Sequence, residues 1–181
     1  LQGPNGKEWL EVLKKLNRKE NPWPGKDYFP ITVDYSLSLA QMIALGKYYK
    51  VNSDITEEKF PMKRKGERIK DFSAHLIGFD RRKLSSDKAI EELDKMGFRP
   101  GMLEELLAFG AAYPGMQGDG QRNFIVALDS RCEVRGEPRV ACLSPIASYS
   151  PEIDGTWLLE LEWGKTIWGT TNDHHFLAFR K

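Results

Sequence analysis

The stretch from Trp157 to the C-terminus constrains the fold more than any other part of the chain. Between Trp157 and Trp163 apolar and polar side chains alternate, which is the period of a β-strand with one buried face. Apolar residues become rare from Gly164 to His175 and return in a second strand-like run, Phe176 to Arg180. Two framework strands that enclose a polar segment are typical of a recognition surface, because scaffold-held loops often carry binding residues. The pattern favours binding over chemistry.

Length and composition exclude several classes of protein. A chain of 181 residues is long enough for one domain with a buried core. Its 27 basic and 26 acidic side chains leave a net charge of +1, which gives no bulk field for nucleic acid or an anionic membrane. No apolar run approaches the roughly 18 residues of a transmembrane helix, so we expect a soluble protein. Cys132 and Cys142 are compatible with buried thiols or with one disulfide, and they do not define the compartment.

The N-terminal region predicts an appended helix. Residues 1–4 resemble the remnant of a cleaved tag linker and are excluded from the fold. Asn5 and Glu8 have the spacing of a capping box, and a helix is predicted over residues 6–17. Its apolar stripe comprises Trp9, Val12, Leu13 and Leu16. The prolines and glycine within residues 21–25 end it, so we assign residues 5–26 to an N-terminal helix and linker and residues 27–181 to the main domain.

The sequence of the main domain predicts mostly helices in its first part and strands in its second part. A strand over residues 29–33 is followed by a helix that begins after Ser38, where Gln41 completes a capping box, and ends near Gly46. A second helix starts at Ser85 and a third spans about residues 101–111. Strands are then predicted at residues 124–128, 139–143, 157–163 and 176–180. This order indicates an α+β fold, with helices in the N-terminal part and a mostly antiparallel sheet in the C-terminal part.

Two charged clusters are expected to be solvated. The basic run at residues 62–68 is diluted by Glu67 and Asp71, so it predicts an exposed loop, and we expect no nucleic-acid partner. The pair Glu104 and Glu105 is expected on an exposed helix face, where carboxylates serve solubility.

No catalytic, metal or cofactor site is predicted. His174 and His175 are neighbours in a strand and point to opposite faces, so a metal would also need His75 or Asp173. The two cysteines lack the short spacing of zinc ligands. The glycines after residue 114 do not follow a strand, as a phosphate-binding loop requires, and there is no Gly-x-Ser-x-Gly motif.

The segment between the last two strands predicts a binding surface. Trp163 and Trp168 bracket small polar residues, a mixture found in adaptable binding loops because rings supply area and small groups tune the fit. The alternative is that both tryptophans are core anchors, since tryptophan is highly buried on average.

The element order and two motifs resemble a known family. The phrase GFRPGMLEEL at residues 97–106, together with the closing strands, resembles the C-type-lectin-like fold in the branch of formylglycine-generating-type enzymes and their non-enzymatic relatives. This resemblance implies that the first and last strands pair, which would place residues 29–33 beside 176–180. One departure is that Gly101 and Met102 replace the usual capping threonine.

The final residues, HFLAFRK at 175–181, are similar to the ending of variable proteins of diversity-generating retroelements. Between Gly164 and His175 only Lys165 and Trp168 differ from the residue types that such systems generate. The resemblance implies a protein or small-molecule ligand of unknown identity, bound by a variable region at about residues 144–175. The implied contacts are Tyr149, Gly164, Thr166, Ile167, Trp168, Gly169, Thr170, Asn172, Asp173 and His174. The sugar-binding calcium motifs of animal lectins are absent.

Two alternatives stay open at this point. An enzyme of the formylglycine-generating type would need a reactive cysteine pair in a cleft, a role that Cys132 and Cys142 would have to fill. The N-terminal helix with Trp9 would need a surface on which to bury its apolar stripe, either on a partner or on a second copy.

Overall fold

The computed structural model describes residues 28–64, 66–79, 83–114, 124–145, 157–168 and 174–181. Within these ranges the helices are α1 (Leu39–Gly46), α2 (Ser86–Lys95) and α3 (Leu103–Ala112). The strands are β1 (Phe29–Val33), β2 (Lys50–Val51), β3 (Lys70–Ile77), β4 (Phe98–Pro100), β5 (Phe124–Val134), β6 (Glu137–Pro145), β7 (Trp157–Trp163) and β8 (His174–Arg180). The helix predicted over residues 6–17 lies outside the described residues. None of the described helices has the length and apolar character needed to cross a membrane.

The eight described strands form one mostly antiparallel sheet. Its order is β1-β3-β8-β5-β6-β7-β2, with β4 paired to β8 beside this path. The β2–β7 and β5–β8 pairs are parallel. The described helices all end by Ala112 and strands β5 to β8 all follow, as the sequence predicts. Strands β1 to β4 are interleaved with the helices, which gives a mixed α and β protein.

The central strands are buried on both faces. On β8, Leu177 and Phe179 join a core that α1 and α3 cover, whereas Phe176 and Ala178 join a second core that α2 covers. Strands β5 and β6 divide their side chains between the two cores in the same alternating way. Burial on both faces explains why β8 is a nearly continuous apolar run in the sequence.

Local capping signals predict the starts of α1 and α2 correctly. The Ser38 hydroxyl accepts a hydrogen bond from the Gln41 N–H at 3.3 Å, and the Gln41 side chain accepts one from the Ser38 N–H at 2.8 Å. Ser85 caps α2 by accepting from the Lys88 N–H at 3.3 Å. Each of these side chains satisfies an N–H that the first turn leaves without a partner inside the helix.

The predicted pairing of the first strand with the last is wrong. Strand β1 pairs with β3, in register from Phe29 with Ala74 to Val33 with Lys70, and β3 in turn pairs with β8. Strand β3 therefore lies between them. In β3, Phe72, Ala74 and Leu76 alternate with Asp71, Ser73 and His75, a strand period that the sequence analysis missed within a stretch of mixed composition.

The expectation that Glu104 and Glu105 are exposed is also wrong. Glu105 is 0% exposed and receives two guanidinium hydrogen bonds from Arg99, at 2.6 and 2.9 Å. Its carboxylate also accepts from the Met102 N–H at 2.9 Å and from the Tyr35 hydroxyl at 3.3 Å. A buried carboxylate needs this many donors because desolvation otherwise disfavours its charge.

These contacts replace the missing capping threonine of α3. Met102 occupies the cap position but has no hydroxyl, and Glu105 binds its N–H instead. The next N–H, that of Leu103, donates to the Ser130 hydroxyl of β5 at 2.6 Å. The hydroxyl that caps α3 thus comes from Ser130, 27 residues away along the chain.

The basic run is tied to the same helix start. The Lys63 N–H donates to the buried Glu104 carboxylate at 3.1 Å, and the Lys63 ammonium lies 2.9 Å from the Asp129 carboxylate. The Arg64 guanidinium lies 5.7 Å from the centre of the Tyr35 ring. Part of this run therefore contacts the domain and is not a purely solvated loop.

Candidate functional site

The two ends of the sheet separate the predicted contact residues. At one end, which we call the His174 end, Phe124 pairs with His174 and Pro145 pairs with Trp157. At the opposite end, the Trp163 end, Trp163 pairs with Arg139. The seven residues of β7 separate these ends by about 20 Å at roughly 3.3 Å per residue. Strands β7 and β8 run in the same direction, so the end of β7 at Trp163 and the start of β8 at His174 lie at opposite ends of the sheet.

Residues 164–168, which follow β7, are clamped to the start of α2. The Ser86 hydroxyl donates to the Gly164 carbonyl at 2.7 Å and accepts from the Trp168 indole N–H at 3.0 Å. The backbones of Trp168 and Leu84 exchange two hydrogen bonds, at 2.7 and 3.1 Å. One buried hydroxyl and one bridge therefore hold both ends of the segment. Sequence reasoning did not identify Ser86, because its position beside Ser85 resembles an ordinary helix cap.

Trp168 is a core residue. It is 1% exposed, and its ring packs edge-on against Phe176 with 5.6 Å between centroids and against His174 at 5.2 Å. The prediction that Trp168 contacts ligand is therefore wrong for this structure, and the alternative of a core anchor is correct for this tryptophan.

Trp163 is different, because it lies half-exposed at the Trp163 end. Its exposed fraction is 49%, the same as that of Ile167. The Arg139 guanidinium stacks 3.5 Å from the centre of the Trp163 ring, a cation–π contact. Lys165 and Glu137 form an ion pair at 3.1 Å beside it. These residues make a small aromatic and charged patch that sequence reasoning found only in part, since Arg139 gave no signal.

Gly164 is held against the β5–β6 hairpin. Its N–H donates to the Pro138 carbonyl at 2.7 Å, and a Cβ added to it would lie 3.0–3.1 Å from the Cβ, carbonyl carbon and oxygen of Pro138. Two of the contacted atoms are backbone, which cannot swing aside. Gly164 thus has a structural role that accounts for its small size.

We expect Gly164→Ala to lower the free energy of unfolding by about 1–3 kcal/mol, as overpacking does. Gly78→Ala is the matched control, because a Cβ there would meet only the His175 ring at 3.6 Å, an ordinary contact. Urea denaturation of both variants tests this. Equal effects would show that the approach to Pro138 is not tight in solution.

Of the other predicted contacts, Thr166 and His174 are partly exposed. The Thr166 N–H donates to the Trp163 carbonyl at 3.0 Å, which makes a turn. His174 stacks on Phe124 with 4.9 Å between centroids and 19° between planes, at the His174 end. Five predicted contacts lie outside the described residues: Tyr149, Gly169, Thr170, Asn172 and Asp173.

The two cysteines lie on opposite faces of the sheet. Both are free thiols; Cys132 packs against the core under α1 and α3, whereas Cys142 belongs to the core under α2. Burial raises the pKa of both thiols, well above the ordinary value for Cys142. A disulfide or a reactive pair in one cleft is incompatible with this placement. Raised pKa values also disfavour the thiolate, which is the reactive form.

The raised pKa of Cys142 predicts a loss of stability at alkaline pH. Its native pKa is raised, so the folded state keeps a proton that the unfolded chain releases above about pH 9. The contribution of Cys142 to the free energy of unfolding is fully present below about pH 9. It falls as the pH rises towards the native pKa. We expect Cys142→Ala to reduce the pH dependence of the unfolding free energy between pH 9 and 10.5 by up to about 1.4 kcal/mol per pH unit. Urea titrations in reductant measure this, and identical slopes would contradict it.

The described residues contain no group of three or more histidine, cysteine, aspartate or glutamate side chains that could hold a metal ion. Comparison of the chain with protein-family models, with curated proteins and with solved structures gives no match. Any functional conclusion therefore depends on the residues and geometry of this chain.

Proposed function

We propose that this protein is a non-enzymatic ligand-binding protein with a C-type-lectin-like scaffold and a diversified surface near its C-terminus, as in variable proteins of diversity-generating retroelements. One observation carries the proposal. The strand ends that flank residues 146–156 and 169–173 meet at the His174 end of the sheet: Pro145 beside Trp157, and His174 beside Phe124. Both intervals belong to the proposed variable region, and the described strand ends that adjoin them, Pro145, Trp157 and His174, lie together at one end of one sheet.

The scaffold beneath this end is suited to such a role. Pre-organised sites need rigid supporting elements, because a loosely held surface loses affinity when it is ordered on binding. Here two cores cover both faces of β5, β6 and β8. The Ser86 clamp fixes the chain at Trp168, six residues before His174. Sequence can then vary beyond the clamp without loss of the framework.

The positions of these residues in the structure change the set of proposed ligand contacts. Tyr149, Gly169, Thr170, Asn172, Asp173 and His174 remain the proposed contacts at the His174 end. Gly164 and Trp168 move to the framework because of Pro138 and Ser86. Thr166 and Ile167 lie between Trp163 and the buried Trp168, in the segment that Ser86 clamps, and we assign them to a separate surface. A protein or small molecule remains the proposed ligand.

The alternative of a formylglycine-generating type of enzyme has less support. It requires two reactive cysteines in one cleft, whereas Cys132 and Cys142 pack into different cores on opposite faces of the sheet. Treatment of the folded protein with a thiol alkylator should leave Cys142 unmodified, and denaturation should release both thiols. Rapid modification of both in the folded state would favour the enzyme instead.

The genomic DNA around the coding sequence tests the retroelement origin. We expect a near-identical repeat of the coding end, with adenines where the gene differs, and a reverse transcriptase gene beside it. The differences should cluster in the codons for residues 146–156 and 169–173 and avoid those for Gly164 and Trp168. A repeat without this clustering, or no repeat, would overturn the retroelement part of the proposal.

A library experiment tests the binding surface directly. One display library varies Tyr149, Thr170, Asn172 and Asp173, and a matched library varies Phe176, Ala178, Leu159 and Val126 on the framework. We expect most members of the first to keep their melting temperature within about 4 °C and some to bind lysozyme, chosen as an arbitrary protein target. Members of the second should unfold. Equal loss of folding in both, or no binders in the first, would contradict the proposed surface.

A further inference from the structure

An apolar groove of about 450 Å³ lies between α1, α3 and β1. Its walls are Leu37, Met42 and Leu45 on one side and Ala108, Ala111 and Ala112 of α3 on the other. Leu45 is 60% exposed. The three alanines lie on one face of α3, so their small side chains leave room for another element to approach closely.

Strand β1 forms the floor of the groove, and its outer edge is poorly suited to an added strand. Pro30 has no N–H to donate. Its carbonyl already accepts the Tyr113 hydroxyl at 2.8 Å. An occupant therefore has to fill the groove with side chains and not extend the sheet.

We propose that residues 5–17 of the same chain close this groove with their apolar stripe, Trp9, Val12, Leu13 and Leu16. The chain enters the described structure at Tyr28, two residues before Pro30, which lines the groove. The tether between the stripe and the groove is thus short: residues 18–27 can extend at most about 35 Å. A helix over residues 6–17 is about 18 Å long, so it can lie across the groove in many orientations within that reach.

The tether also favours this occupant over a second copy of the chain. Short flexible linkers give effective concentrations in the millimolar range, which exceed ordinary protein concentrations.

Thiol labelling in the full chain tests the proposal. Ala111→Cys places a reporter in the groove, with the unmodified chain as reference for the native thiols. We expect the reporter to react slowly, and Leu13→Gln to raise its labelling rate about tenfold by releasing the segment. Lys15→Gln introduces the same side chain, glutamine, on the polar side of the predicted helix. This control should leave the labelling rate of the reporter unchanged. If Ala111→Cys impairs folding, Leu45→Cys serves as the reporter.

Two outcomes would overturn the proposal. Labelling as fast as in an unfolded control, with no effect of Leu13→Gln, would show that the groove is open. Protection that disappears on dilution, together with a dimer in sedimentation, would show that a second copy fills it. Neither outcome bears on the proposed binding surface, because the His174 end is not part of this groove.

Discussion

Replacing Trp168 by alanine is expected to lower the free energy of unfolding by about 3–5 kcal/mol, the range for large aromatic truncations in a core. Trp168 is almost fully buried, and it packs against Phe176 and His174. Its indole also donates to Ser86, whose hydroxyl in turn donates to Gly164. The substitution therefore removes core volume and half of the clamp that holds residues 164–168.

The neighbouring Ile167→Ala is the matched control, since Ile167 is half-exposed and surface substitutions usually change stability by less than about 0.5 kcal/mol. Trp168→Phe keeps most of the ring but loses the indole N–H, so its effect should be intermediate. Urea denaturation measures all three. Similar effects for Trp168→Ala and Ile167→Ala would show that residue 168 is a surface contact after all.

Glu105→Gln is expected to lower the free energy of unfolding by about 3–5 kcal/mol, because breaking a buried ion pair leaves an uncompensated charge. Glu105 is completely buried and bonds to both Arg99 amino groups. Burial by itself lowers the pKa of Arg99, but hydrogen bonds and charge from Glu105 outweigh it, so the pKa is raised. The guanidinium therefore stays charged when its partner becomes neutral.

Glu91→Gln is the control, because Glu91 pairs with Lys88 across an exposed turn of α2 and such pairs contribute about 0.3–0.5 kcal/mol. A double variant with Arg99→Met should cost less than the sum of the two single changes. Chemical denaturation of the unmodified protein, Glu105→Gln, Arg99→Met and the double variant gives the coupling energy. Additive effects would mean that the contact between Arg99 and Glu105 contributes little.

The elements that local signals specify were predictable from sequence. Helix α1 starts where Ser38 and Gln41 form a capping box, and β7 follows the alternation that begins at Trp157, because these signals act within a few residues. The place of β3 between β1 and β8 was not predictable, since strand partners are set by contacts between distant segments. The burial of Glu105 was hidden for the same reason: its donors come from residues as distant as Tyr35.

The candidate site divides in the same way. Sequence alone marked Gly164 to His175 as a polar interruption between framework strands. In the structure β8 already begins at His174, and residues 169–173 lie outside the described residues. Trp163 and Trp168 have the same chemistry and similar neighbours, yet one is exposed beside Arg139 and the other is buried beside Ser86. Side-chain burial depends on residues that the fold brings from elsewhere in the chain. The sequence thus determined the three described helices, strand β1 and strands β5 to β8. Only the tertiary structure decided which of their residues are framework and which are surface, because hydrogen-bond partners and packing neighbours are set by contacts between distant parts of the chain.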